Sequence, residues 1–189
     1  PGRHPEIENV EGLLNFISYV RDISGKPTGI KCVIGQSEWL DDMCHQILRK
    51  GLKYAPDFMT IDSGDGGSGA APMSLIDHMG LPIKRSLPLV VDKLTEFNLR
   101  SRIKVIASGK LINPADVAAA LCLGADSVNS ARGFMFALGC IQALQCNKNT
   151  CPTGITTQDP NLQDGLDAFD KGARVGNYAQ NLTKAVKMI

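Results

Sequence analysis

The sequence has no block of like charge, so neither nucleic acid nor an anionic membrane surface is given anything to recognise. It also lacks an apolar run of the ~20 residues that a membrane-spanning helix needs. Its longest apolar stretches, Phe134 to Leu144 and Val117 to Leu123, are expected to be buried helices. No secretory signal pattern is visible, and an intracellular, cytoplasmic chain is expected. In that compartment local groups of cysteines are more often metal-binding or catalytic than disulfide-bonded. What is present suffices for one ordinary globular core: 189 residues, 43% of them hydrophobic and 21% charged, with a net charge of +1.

Cysteine is where the sequence becomes specific. Three of the 6 cysteines fall in Cys140-Ile-Gln-Ala-Leu-Gln-Cys146-Asn-Lys-Asn-Thr-Cys151-Pro-Thr-Gly. The first ends an apolar run with helical character, Phe134 to Leu138. The other two flank a polar turn that Pro152 and Gly154 keep from becoming a helix. A helix end followed by a folded-back loop can gather three thiolates around one centre. Thiolates suit zinc or iron, but a structural tetrahedral zinc site takes four ligands and no fourth cysteine or histidine is near. A three-iron cluster needs only three. Cys32, in a strand-like run, and Cys44 and Cys122, on apolar helix faces, are expected in the core.

Helical and strand-like segments alternate along the chain. Val10, Leu13, Leu14, Ile17 and Val20 follow helical spacing, as do Leu40, Met43, Cys44, Ile47 and Leu48 behind a candidate N-cap at Ser37. Strands are expected at Gly29–Ile34, Phe58–Asp62, Ile103–Ala107 and Ser127–Asn129. A helix over about Leu87–Leu99, with Ser86 and Pro88 at its start, separates the second and third strands. Another, opened by Asn113-Pro114 and closed by Gly124, separates the third and fourth. Leu162, Leu166, Phe169, Val175, Tyr178, Leu182 and Val186 suggest two tail helices after Pro160.

Four strand–helix units imply a parallel α/β sheet, because parallel neighbours need crossover connections. A full eight-unit barrel takes about 250 residues, so four units would make half of a (β/α)8 TIM barrel; an open doubly wound sheet is the other solution. The loops after the strands favour the barrel, whose functional residues gather at that end. Asp62-Ser-Gly-Asp-Gly-Gly-Ser-Gly-Ala-Ala-Pro72 follows the second strand, Ser108-Gly109-Lys110 the third, and Asn129-Ser130-Ala131-Arg132-Gly133 the fourth. The last two suit a phosphate, which barrels hold between loops and a helix N-terminus. Asp62 and Asp65 are either cofactor or acid–base groups, or turn formers. His4 and His45 have no recognisable partner, His78 reads as a structural histidine on a helix, and Trp39 as packing.

These runs, together with Arg102-Ile-Lys-Val-Ile-Ala-Ser-Gly-Lys110 and Cys151-Pro-Thr-Gly-Ile-Thr-Thr-Gln-Asp159, resemble the FMN-binding domain of glutamate synthases. The resemblance extends from about Arg3 to Pro160 and is strongest to the stand-alone FMN-binding glutamate synthase family proteins. It implies an FMN barrel with a [3Fe–4S] cluster, making glutamate from 2-oxoglutarate and ammonia by flavin hydride transfer. It further implies Cys140, Cys146 and Cys151 as cluster ligands. Ser108, Gly109, Lys110, Ser130, Ala131 and Arg132 would be the FMN phosphate site, and Gly66 and Gly67 would be backbone passing close to the cofactor. Lys31 would be a catalytic lysine near the flavin ring, stabilising the charge of the reduced form; without that family context, a lysine snorkelling from a strand end reads equally well.

On this reading residues 1–160 are the C-terminal half of the barrel and 161–189 a helical tail. The first four units are expected to lie outside this chain, and with no glutaminase domain recognisable in it, ammonia would come from solution or a partner. Electrons would come from a donor protein or an NAD(P)H-oxidising subunit. The alternative, from a different class, is a non-catalytic phosphate-binding half barrel whose free sheet edges seek the missing half or another copy.

Overall fold

The computed structural model of the chain describes residues 4–64, 74–75 and 78–189. The helical spacing near the start becomes α1 (Val10–Ser24), which buries Leu14 and Ile17. Its first turn is capped by Asn9, whose side-chain oxygen accepts from the Gly12 N–H at 2.8 Å. Gly25, at φ +61°, closes it in the left-handed conformation that glycine adopts without a Cβ penalty. There follow β1 (Ile30–Val33), α2 (Glu38–Lys50), a short 3-10 turn at Leu52–Tyr54, and β2 (Phe58–Asp62). The order continues with α3 (Ile83–Glu96), β3 (Lys104–Ser108), α4 (Pro114–Cys122), β4 (Ser127–Asn129), α5 (Ala131–Leu138), α6 (Pro160–Gln163) and α7 (Ala168–Val186).

The strands form one sheet in the order β1-β2-β3-β4, with every pairing parallel. Sequential order decides between the two architectures. A doubly wound sheet reverses direction and sends helices to both faces, whereas right-handed crossovers in unbroken order put every helix on one face. The chain is thus α/β with four successive βα units, half of a (β/α)8 barrel.

The register assigns the faces. Ile30, Met59 and Val105 form one row, and Cys32, Ile61, Ala107 and Val128 the next. Both rows point into the helix layer, where Leu14, Leu40, Met43, Ile47, Leu87, Val90 and Leu94 complete the core. The intervening rows face the other way: Lys31, Thr60, Ile106 and Ser127, then Ser108 beside Asn129, and Val33 beside Asp62. Thr60 is buried there, while Lys31, Val33, Ser127 and Asn129 are exposed. This concave face ends at the rim where the candidate loops emerge.

The opposite rim is stapled by carboxylates. Asp57, one residue before β2, accepts from Arg21 at 2.8 Å, Arg102 at 2.9 Å and the Thr28 N–H at 2.7 Å. Asp126, one residue before β4, pairs with Arg100 at 2.7 Å and accepts from the Val105 N–H at 2.8 Å. In (β/α)8 barrels this rim serves stability, while catalytic groups gather at the other.

Several expectations need correction. Ser37 makes no side-chain cap to α2. α3 starts at Ile83, a full turn earlier than the proline suggested, with Pro88 inside it. Pro88 stands sixth in the helix and forfeits the bond its N–H would have made to the Lys84 carbonyl, a loss offset by the burial of Ile83, Ser86 and Leu87. Cys122 is exposed, because α4 turns Val117 and Ala120 to the core and a residue two beyond Ala120 lies on the far side. His78 lies in a turn, its N–H donating to the Leu75 carbonyl at 3.2 Å, and not on a helix. The stretch from Gly139 to Leu144 is not helical. Of the two tail helices, one is a single turn and the other runs 19 residues and packs on α4 and α5. Among the described residues no helix is long and apolar enough to cross a membrane.

Candidate functional site

The third and fourth strands deliver their loops side by side, since Ser108 pairs with Asn129 at the last position of each strand. After Ser108 the backbone turns through Gly109 at φ +130° and Lys110 at φ +51°. Gly109 is obligatory twice over: its conformation excludes side chains, and a Cβ there would run into Ser63 at the end of β2. Ser63 is itself fixed, its hydroxyl accepting from the Ile83 N–H at 3.1 Å. One residue, Ser130, separates β4 from α5, so the N-terminus of α5 stands directly at the rim.

Ser130, at the N-cap position of α5, makes no side-chain cap. Ser130 has another task, donating to the Leu111 carbonyl at 2.6 Å and touching the Tyr178 hydroxyl at 2.9 Å. Its hydroxyl is therefore spent on the loops, and what it offers an anion is backbone. A helix N-terminus that Ser130 does not cap, a left-handed Gly109-Lys110 turn beside it and the cations of Lys110 and Arg132 are together a donor set that fits a phosphate. Gly66, Gly67 and Asp65 lie outside the described residues.

Lys31 is not at its strand's end but second in β1, and its side chain reaches forward to the rim. There Nζ lies 2.7 Å from Oδ2 of Asp62, the last residue of β2. Asp62 also accepts its neighbour Ser63's N–H at 3.0 Å, so it acts as both turn former and counter-ion.

At the other end of α5, Gly139 adopts φ +99° and the Cys140 N–H closes on the Met135 carbonyl at 2.9 Å. The chain then folds back through left-handed residues that are not glycine: Gln142 at φ +57°, Leu144 at φ +55° and Asn149 at φ +61°. Such residues are uncommon in that region and cluster where a loop is tightly constrained. Cys140, Cys146 and Cys151 line one small cavity of about 20 Å³, with Met135, Leu144 and Ile155 around them. Among the described residues, no three or more His, Cys, Asp or Glu side chains are converged closely enough to hold a metal ion.

Cys151 is set apart electrostatically. Burial alone would raise its thiol, but the Thr153 hydroxyl at 3.4 Å and the Thr156 and Thr153 N–H groups outweigh it and bring it down to about 6. Burial instead pushes Cys32 up to about 12 and Cys44 up to about 11, as inert core thiols. By ligand type three thiols, one already favouring thiolate, suit soft iron, although as placed they line the cavity without converging on one metal position.

Sequence reasoning missed the residues that brace these loops. Thr157, buried, donates to the Asn149 carbonyl at 2.8 Å and ties the turn between Cys146 and Cys151 to the segment after it. Tyr178 on α7 donates to the Ile112 carbonyl at 2.7 Å, 66 residues away. Neither carries a motif of its own. The Thr-rich run after Cys151 was the available signal for the first, and for the second there was none beyond helical spacing.

The whole chain, residues 1–189, matches the family model described as the conserved region in glutamate synthase. It is 46% identical over 186 residues to the glutamate synthase large subunit-like protein YerD of Bacillus subtilis (strain 168), covering 98% of this chain and 35% of that protein. It is 40% identical over 190 residues to the archaeal glutamate synthase [NADPH] of Methanocaldococcus jannaschii, covering 99% and 36%. With the archaeal-type glutamate synthase [NADPH] of Thermotoga neapolitana the identity is 31% over 191 residues, covering 100% and 36%. The chain thus spans about a third of the length of these curated relatives. A match along its entire length, on a half barrel carrying three thiols around one cavity, places the chain in the glutamate synthase family.

Proposed function

We propose that this chain is the C-terminal half of an FMN-binding barrel in a cytoplasmic, glutamate synthase-like oxidoreductase that converts 2-oxoglutarate and ammonia to L-glutamate. The observation that carries this is α5: its N-terminus stands at the phosphate-fitting loops and its C-terminus opens into the cavity of the three cysteines. At 1.5 Å per residue, its 8 residues separate the two ends by about 12 Å.

When bound, FMN would supply the hydride for the reductive step and the [3Fe–4S] cluster the single-electron path from a donor protein or an NAD(P)H-oxidising subunit. The chain's own contribution is binding and charge. The N–H groups opening α5 and the Gly109-Lys110 turn would hold the phosphate, with Lys110 and Arg132 neutralising it. Cys140, Cys146 and Cys151 would hold iron, the last as thiolate without prior proton loss. Lys31 would hold a fixed ammonium on the concave face, where negative charge on a reduced cofactor gains most from it. Asp62 keeps that ammonium in place and moderates its charge.

The test is anaerobic reduction of the purified full-length protein, followed by mixing with 2-oxoglutarate, ammonia or both. Reoxidation of flavin absorbance only with both together is expected; a reduced flavin indifferent to the pair overturns the reaction. Among the described residues β1 and β4 pair with no further strand, which favours a second reading for this chain alone, a phosphate-binding half barrel that self-associates. Sedimentation separates them, since a cofactor-free monomer contradicts the second reading.

A further inference from the structure

Tyr178 lies on α7, outside the βα units, yet it reaches both loops of the phosphate site. Its hydroxyl donates to the Ile112 carbonyl at 2.7 Å, two residues beyond Lys110, and touches Ser130 Oγ at 2.9 Å, one residue before α5. Ser130 in turn donates to the Leu111 carbonyl at 2.6 Å. Two hydroxyl protons thus serve three contacts, which makes the pair a single unit. The ring is held as firmly as the hydroxyl. Phe134 meets it edge-on, with centroids 5.0 Å apart at 87°, and a side chain on Gly133 would run into it. Gly133 therefore belongs to this contact as well as to the first turn of α5.

We propose that Tyr178 is a positioning residue for the phosphate loops: through its hydroxyl the tail helix fixes the spacing between the Gly109-Lys110 turn and the N-terminus of α5. The proposal rests on reading those loops as the FMN phosphate site. Without the hydroxyl, the Leu111-Ile112 segment loses a donor and the two anion-binding elements can drift apart, although neither loses a group that touches phosphate. The penalty therefore falls on the phosphate of a flavin and not on its ring system.

Tyr178→Phe, which keeps the ring, tests this in the full-length protein stripped of flavin and titrated with FMN and with riboflavin. The wild type is expected to bind FMN more tightly than riboflavin. The variant should lose roughly tenfold in FMN affinity, the scale of one hydrogen bond, and keep its riboflavin affinity. Ser130→Ala should do the same, and the double variant should lose no more than about the larger single loss, because the pair is one unit. Equal weakening of both flavins, with a lowered melting temperature, would assign Tyr178 a structural role only and overturn the proposal; so would unchanged FMN affinity. A wild type that binds riboflavin as tightly as FMN would overturn the phosphate site itself, and the tether with it.

Discussion

Lys31 and Asp62 are joined at 2.7 Å on the concave face, across adjacent strands and two positions apart in register, in spite of the lysine's 64% side-chain exposure. An ion pair so exposed contributes less than about 1 kcal/mol to stability, so its effect is to be sought in charge placement at the rim. Lys31→Met is expected to leave the melting temperature within a few degrees and to lower the midpoint potential of bound flavin. Asp62→Asn should raise that potential by freeing the ammonium's charge. Spectroelectrochemical titration of both variants checks the opposite signs, and shifts in the same direction would remove Lys31 from the site.

Gly109→Ala is expected to cost at least about 1–2 kcal/mol from the left-handed backbone alone, before the collision with Ser63 is counted. Either Ser63 moves, loosening the Ile83 N–H at the head of α3, or the turn reopens. Urea unfolding and FMN titration should both register the change. A variant of wild-type stability would mean that the turn is far more pliant than its geometry.

The Asp57 carboxyl is pushed up by burial, but the Thr28 N–H and the Arg21 and Arg102 guanidinium groups hold it below the usual range. A depressed folded-state value contributes stability that is present above the unfolded value of about 3.9 and lost as pH falls through the folded one. Stability should therefore decline below about pH 4. Asp57→Asn should cost about 2 kcal/mol at neutral pH, by weakening hydrogen bonds to charged donors, and should flatten the acid decline. Denaturant melts at pH 7 and pH 3 measure both.

Replacing Cys140, Cys146 or Cys151 singly by alanine is expected to abolish bound iron, since three ligands leave none to spare. Cys122→Ala, at the exposed end of α4, should leave iron content unchanged. Iron and acid-labile sulfide assays on protein purified without oxygen decide it. Full iron retention by any one of the three variants would remove that cysteine from the ligand set.

The alternation of helical and strand-like runs was legible because burial imposes its own period on each element, 3.6 residues or 2. Pro114 and Gly124 marked the ends of α4 for similarly local reasons. α3 was harder, because whether Pro88 starts a helix or sits inside one depends on how much apolar surface the preceding turn can bury. Cys122 is exposed against the expectation from its apolar neighbours because a helix face is buried only where something packs on it.

Local signals were enough to specify the set of elements, the thiol motif and the glycine-bearing turns after the strands, all consequences of side-chain period and backbone chirality. Tertiary structure alone decided that the strands run in unbroken order, that Ser63 seals Gly109, and that Tyr178 reaches Ile112 across 66 residues. Those are contacts between distant segments, and no local preference encodes them; they exist only once the core has closed and brought the segments together.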